Sequence, residues 1–413
     1  MDTEILELQN GIRCVFHPSS SPITHVCILI GVGSRDEEEG KFGLAHLIEH
    51  LLFKKTKKRS THRILNRLES VGGDLNAYTT KEYTCIHASI LNEYLDRALD
   101  LLADIIFNSV FPEVEIVKEK EVILDEIASY LDSPEEAIMD ELEDIVFSET
   151  ELGHNILGSE ADLDNISRED ILQFIKEKYT TDKIVIGISG NYTLAKVNRQ
   201  FTKHFQAFPS VSSSNRERTT VSNLGFVSTQ SKPIHQVHFM IGMHAYSQNN
   251  PNKIDLLLLN NMLGGMGMSS ILNMAIREKH GIAYTIDSNY SVYSDSGVLS
   301  IYMGTDASKL NKAVKLVEKE LNKLKTNPVS SFQLEKARKK FKGQIALSEE
   351  NRLGVVIAES KNVLDYGRII TLEEVFQKLD KVTPQSLLNV ANELFVEDNQ
   401  VFLQYTPEHI NSF

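Results

Sequence analysis

The sequence is poor in cysteine, holds no long apolar run and carries no excess of cations, and each shortage excludes a class of protein. Its three cysteines, Cys14, Cys27 and Cys85, fit neither a zinc-knuckle nor a redox spacing. Each lies in an apolar, strand-like stretch, so buried free thiols and a reducing compartment are expected. No stretch approaches the ~18 consecutive apolar residues of a transmembrane helix. The first residues show no basic segment followed by an apolar run, so no signal peptide is visible. The expected location is therefore cytoplasmic, with no membrane partner. Lysine and arginine number 43 against 57 aspartates and glutamates, a formal net charge of −14. That balance argues against nucleic acid as a partner, because phosphate binding needs cations in excess.

What is present is the composition of a globular protein, 41% hydrophobic and 24% charged, over 413 residues, too many for one ordinary domain. The composition changes once. Residues 209–232 are rich in serine and threonine and lack periodicity, which reads as a linker between domains at 1–208 and 233–413. The two halves share an order of patterns. The first runs strand 26–31, helices 43–53 and 63–71, strands 75–78 and 83–91, helices 95–107 and 115–131. The second runs strand 237–242, helices 253–263 and 269–279, strands 284–293 and 297–304, helices 310–324 and 333–349. Sliding by 211 residues lays Ile30-Gly31 on Ile241-Gly242 and helix 43–53 on 254–264. The expected class is α+β, two homologous α/β-roll domains, each a mainly antiparallel sheet with helices packed on one face.

The helix Phe42 to Phe53 is apolar nearly all round, as a buried helix should be, and only His46, Glu49 and His50 interrupt it. Spacings of three and four put all three on one face. Two histidines at i and i+4 are often no more than a solvated or hydrogen-bonded pair. Here the apolar background makes them costly to bury unless a divalent cation offsets their desolvation. Two neutral imidazoles can bind Zn²⁺ together while a neighbouring carboxylate takes a proton from water. A third protein ligand is then sought elsewhere, and the helix Val117 to Ala128 offers candidates. Glu126, among Val122, Ile123 and Ile127, reads as pointing into the apolar stripe and is the better ligand. Glu119 lies two turns away on the same face, behind the ligands, while Glu121 and Asp125 project elsewhere.

The segment Gly43-Leu44-Ala45-His46-Leu47-Ile48-Glu49-His50-Leu51-Leu52-Phe53 resembles the H-x-x-E-H segment of the pitrilysin-like inverzincins, the family of insulin-degrading enzyme and the mitochondrial processing peptidases. The resemblance runs over nearly the whole chain and is to a short, two-domain, bacterial-type member. It implies an enclosed zinc metalloendopeptidase acting on unfolded peptides, with about one Zn²⁺ per chain. It implies metal ligands His46, His50 and Glu126, the last 76 residues after His50. Glu49 is implied as the catalytic base and Glu119 as a further acidic residue of the site. Asn76, Ala77, Tyr78 and Thr79 resemble the strand whose edge receives substrate. Arg277 and Tyr284 match the spacing of the family's pair that acts on substrate and transition state. Where the family usually carries an arginine, this chain has Ile271.

In the second half the same offset sets Leu257, Asn260 and Asn261 opposite His46, Glu49 and His50, so the metal site is confined to the first half. The basic run Lys54 to Arg59 follows a helix C-terminus, where cations offset the dipole, and reads as a solvated end. His87, His154, His235, His238, His244 and His280 have no partner identifiable from sequence. Three functions compete. One is an active peptidase, expected as a homodimer. Another is a non-catalytic scaffold of the same fold, against which the complete ligand set argues. The last is the zinc-bearing subunit of a heterodimer, against which the presence of both Arg277 and Tyr284 in this chain argues.

Overall fold

The computed structural model describes residues 3–212, 218–219 and 226–408. In chain order the elements are β1 (Glu4–Glu7), β2 (Arg13–Pro18), β3 (Ile23–Ile30), α1 (Leu44–Leu52), α2 (Thr61–Glu69), β4 (Asp74–Thr79), β5 (Thr84–Leu91), α3 (Leu95–Phe107), α4 (Glu113–Leu131), α5 (Pro134–Val146), α6 (Glu160–Asn165), α7 (Arg168–Lys178), β6 (Ile184–Gly190) and α8 (Leu194–Phe205). The second half adds β7 (Phe226–Lys232), β8 (Val237–His244), α9 (Lys253–Leu263), β9 (Ala283–Val292), β10 (Gly297–Thr305), α10 (Ala307–Thr326), α11 (Ser331–Ser348), α12 (Arg352–Tyr366), α13 (Leu372–Lys381), α14 (Pro384–Leu394) and β11 (Gln400–Pro407). Between α9 and β9, Asn273–Glu278 winds as a π-helix at the centre of the helix expected over 269–279.

Two compact units result. The first takes residues 1–127, 155–217 and 347–370, and the second takes 128–154, 218–346 and 371–413. This differs from a single cut at 209–232. Each half lends one helix to the other unit: α5 to the second, α12 to the first. Much of the expected linker (213–217 and 220–225) lies outside the described residues, and 226–232 is β7. That segment is a strand because β11, far along the chain, offers it a parallel partner.

In the first unit the sheet order is β1-β2-β6-β3-β5-β4, antiparallel except for β2 with β6. Alternation along the strands separates its two faces. Val26, Ile28 and Ile30 of β3 point to the main core with Ile86, Ala88 and Ile90 of β5, under α1, α3 and α8. Cys27, Leu29 and Cys85 point the other way, against Val356 of α12. All three cysteines are buried and free. In the second unit the order is β7-β11-β8-β10-β9, antiparallel except for β7 with β11. Its main face packs Phe239, Ile241 and Met243 under α9, α10, α11 and α14. Its other face packs Met240, Tyr302 and Leu403 against Ile138 and Leu142 of α5. The main helical layer lies on one face of each sheet, as the sequence suggests, and one further helix covers the opposite face.

Glycine marks where that further helix seats. A Cβ on Gly31 would lie 3.1 Å from Leu364 Cδ1 of α12, and one on Gly242 would lie 3.0 Å from Leu142 Cδ1 of α5. These are the two glycines that the 211-residue repeat superimposes. At Gly187 of β6 an added Cβ would meet Ser360 Oγ at 2.3 Å, Cys27 Sγ at 2.6 Å and Val356 Cγ2 at 2.9 Å. Among the described residues no helix is long and apolar enough to cross a membrane.

Candidate metal centre

The centre is built within the first unit, on α1, α4 and β4. α1 starts at Gly43, whose backbone is left-handed (φ 91°) and whose missing Cβ would stand 2.5 Å from the carbonyl oxygen of Leu157. The buried Glu37 carboxylate accepts the N–H groups of Gly43 (3.0 Å) and Ala45 (2.7 Å), satisfying donors that a helix start leaves free. Leu44, Ala45, Leu47, Ile48, Leu51 and Leu52 are all buried, so α1 is gripped on most sides. Its polar residues are thereby held with little freedom.

Glu126 Oε2 stands 3.8 Å from His46 Nε2 and 3.6 Å from His50 Nε2. Both separations exceed a hydrogen bond, which ends near ~3.2 Å. The three ligand atoms all fall within 4.8 Å of one another, so they surround a point instead of bonding to each other. On the far side of His50, Glu119 Oε2 lies 3.2 Å from Nδ1, and Lys54 Nζ lies 2.6 Å from Glu119 Oε1. An Nδ1–H donated to Glu119 leaves the Nε2 lone pair facing Glu126, the tautomer a metal ligand needs. Burial, and then the neighbouring His50, push the His46 imidazole down to about 4, so His46 is neutral with a lone pair to offer. His46 Nδ1 is buried and has no hydrogen-bond partner among the described residues. Two imidazoles and a carboxylate are a donor set that fits zinc.

Glu49 is buried, and Thr79 Oγ1 donates to its Oε2 at 2.6 Å. Burial raises the Glu49 carboxyl above the ordinary range, against the lowering effect of that hydrogen bond and of His50. The site can therefore hold a divalent cation and set beside it a carboxylate with a strengthened affinity for a proton.

The sequence-expected residues fall into two groups. His46, His50, Glu126, Glu119 and Glu49 come together, with Thr79. Glu126 is not in an apolar stripe: its side chain is 44% exposed. The inward row of α4 is Ile116, Glu119 and Ile123, and Glu126 continues it past the packed part of the helix. Thr79, expected for substrate, bonds Glu49 as well, a role that no spacing in the sequence marks. Lys54 is not a solvated end but the partner of Glu119, and Arg59 pairs with Asp100 and the buried Asp104. The signal for Arg59 was Asp104 itself, an acid in the otherwise apolar run Leu101 to Phe107. Asn76, Ala77 and Tyr78 lie along β4, an edge strand, with the Tyr78 ring near those of Tyr83 (6.0 Å) and His87 (6.3 Å).

Arg277 and Tyr284 belong to the second unit and line one cleft of about 810 Å³ there. Tyr284 is 52% exposed and its hydroxyl donates to Asp306 at 3.2 Å. Asp287, in the same cleft, was missed by sequence reasoning; burial and then Glu135 raise its carboxyl to about 6. His238 finds a partner in the Tyr302 hydroxyl (2.8 Å).

A duplicated sheet-and-helix architecture with, among the described residues, one His–His–Glu cluster, in the first unit, defines a two-domain α/β protein with a candidate metal centre. The chain belongs to the insulinase family, peptidase family M16: residues 15–160 match the family profile "Insulinase (Peptidase family M16)", and 165–341 match "Peptidase M16 inactive domain". It is similar to the uncharacterized zinc protease YmxG of Bacillus subtilis, 34% identical over 94% of this chain and 95% of that protein. An uncharacterized zinc protease of Rickettsia felis is 31% identical over 95% of this chain and 94% of its own. A probable mitochondrial-processing peptidase subunit beta of Arabidopsis thaliana is 29% identical over 97% of this chain and 77% of that one. Among solved structures, a protease from Helicobacter pylori shares the fold with a TM-score of 0.86 at 23% identity, covering 98% of this chain and 99% of its own.

Proposed function

We propose that this chain is a zinc-dependent endopeptidase of unstructured peptides, with His46, His50 and Glu126 holding about one zinc ion per chain and Glu49 acting as general base. One observation carries the reading: two imidazole Nε2 atoms and a carboxylate oxygen converge without bonding one another, on the helix that also holds buried Glu49. When bound, zinc would polarise the peptide carbonyl and acidify an attacking water. Glu49 takes the proton from that water and returns it to the departing amine, so the carboxylate is regenerated as the C–N bond breaks. Thr79 occupies Oε2 and leaves Oε1 for the proton. Glu119 fixes the His50 ring, and Lys54 holds Glu119 in place. The guanidinium of Arg277 and the phenol of Tyr284 are donors suited to a developing oxyanion. β4 is an edge strand, and an extended peptide can add to it along Asn76, Ala77, Tyr78 and Thr79. Most strands of a folded protein are already paired, so this mode of binding favours unstructured chains as substrates.

Metal analysis tests the assignment directly. Purified protein should contain about one zinc per chain, lose peptide hydrolysis to a chelator and regain it with zinc. His46→Ala and His50→Ala should each release the metal. Wild-type zinc content in both variants would move the site elsewhere.

A further inference from the structure

The second half keeps a cavity where the first keeps its ligands. The 211-residue correspondence sets Asn261 opposite His50 and Ala337 opposite Glu126, and both line a cavity of about 440 Å³ in the second unit. Asn261 is only 7% exposed, and its orientation is fixed by a chain of hydrogen bonds. Gln344 Nε2 donates to the backbone carbonyl of Met266 (2.8 Å), so Gln344 must offer Oε1 to Asn261 Nδ2 (2.8 Å). Asn261 Oδ1 is thereby left a buried acceptor without a hydrogen bond among the described residues.

Two lysines of α11, Lys336 and Lys340, line the same cavity one turn apart, and neither pairs with an acid among the described residues. Like charges at i and i+4 repel one another. Burial, and then Lys336, push the Lys340 ammonium below its ordinary range. A third lysine at the rim, Lys323, is already matched by Glu320 at 2.6 Å. The remaining wall includes Ile271, Leu324 and Val329. The cavity is thus lined by two lysines without an acid partner among the described residues, by Asn261 with its buried unmatched acceptor, and by an apolar wall. Its volume is within the ~300–1,000 Å³ range of small-ligand sites.

We propose that this cavity binds the C-terminal residue of a peptide. The free carboxylate lies against Lys336 and Lys340, the residue's own backbone N–H donates to Asn261 Oδ1, and an aliphatic side chain rests on Ile271, Leu324 and Val329. A fatty acid would match the cations and the wall but leave Oδ1 unpaired, and an unpaired buried acceptor weakens binding. The assignment rests on the peptidase reading for its purpose, since it gives a substrate or product a place for its trailing end.

Direct binding tests it without needing turnover. Calorimetry would titrate N-acetyl-Leu-Leu into the Glu49→Gln protein, which should not cleave it, beside its C-terminal amide and 4-methylpentanoate. The free acid should bind at one site per chain, with the amide and 4-methylpentanoate each at least about tenfold weaker. In Lys336→Gln/Lys340→Gln the free acid should lose at least about tenfold in affinity, while Lys340→Arg retains it. Equal binding of acid and amide, equal binding of 4-methylpentanoate, no binding of the acid, or no loss in the double variant overturns the proposal. The amide comparison needs no lysine substitution, so it decides the matter even where the double variant folds poorly. A separate hydrolysis assay on the wild type reports on the peptidase reading alone.

Discussion

Glu49 and Glu126 are electrostatically coupled to each other, and Glu49 also feels His50, yet their surroundings divide the work. Glu49 is buried at 8% exposure and bound by Thr79, so it is held in one position and kept eager for a proton. Glu126 is half exposed and makes no hydrogen bond to the imidazoles it approaches, so its carboxylate can turn to a cation held between them. Glu49→Gln should therefore keep zinc while losing about 10²–10⁴-fold in turnover. Glu126→Gln should instead weaken zinc binding, and Glu119→Gln should do so more mildly, by about 10–100-fold, through a loosened His50 ring. Zinc per chain and kcat, measured side by side on the three variants, decide this. Zinc lost only from the Glu49 variant would exchange the base and ligand roles. The sequence marks His46, Glu49 and His50 because three polar residues stand out from an apolar helix. It leaves Thr79 and Lys54 unmarked as partners, because their contacts join residues far apart in sequence and no local pattern records a hydrogen bond.

The elements divide in the same way. α3 and α9 lie at their expected bounds, and β5, α1 and α4 within a residue or two, because the periodicity of their apolar residues marks them. The exchange of α5 and α12 is invisible to that reasoning. Each buries Leu142 or Leu364 on a sheet of the other half, so its partner is set by tertiary structure and not by neighbours in the chain. β7 and β11 were likewise unreadable, each needing the other's edge. Repeated glycine at positions 31 and 242 was visible as a match between halves, but its meaning as a seat for a leucine required the helix to be in place. Gly187 is the sharpest test of this packing, since its Cβ would collide with three atoms under 3.0 Å, two of them on α12. Gly187→Ala should destabilise the protein by about 1–3 kcal/mol through overpacking. Gly343→Ala, in the exposed interior of α11 with nothing within 4 Å, should stabilise by up to about 1 kcal/mol. Urea unfolding of both would check the pair; unchanged stability of Gly187→Ala would mean that α12 can withdraw from β6 without loss.

At the scale of the whole molecule, duplication has left one unit with a candidate metal centre and the other with an arginine and a tyrosine on an open cleft. We propose that the chain pairs with a copy of itself, so that the arginine and tyrosine of one protomer serve the metal-binding cluster of the other. A closed two-fold dimer makes two composite sites, each joining the metal centre of one protomer to Arg277 and Tyr284 of its partner. Glu49→Gln and Arg277→Ala should each be nearly inactive alone, the first for want of a base and the second for want of a cation at the oxyanion. Mixed under conditions that exchange subunits, they should form heterodimers with one doubly damaged site and one intact site. Random pairing of equal amounts makes about half of the dimers mixed, so roughly a quarter of wild-type peptide hydrolysis should return. Mass spectrometry of differently tagged variants would establish that exchange took place. Exchange without any return of activity would show that Arg277 serves the metal centre of its own chain, or serves none, and the dimer model of the site would be wrong.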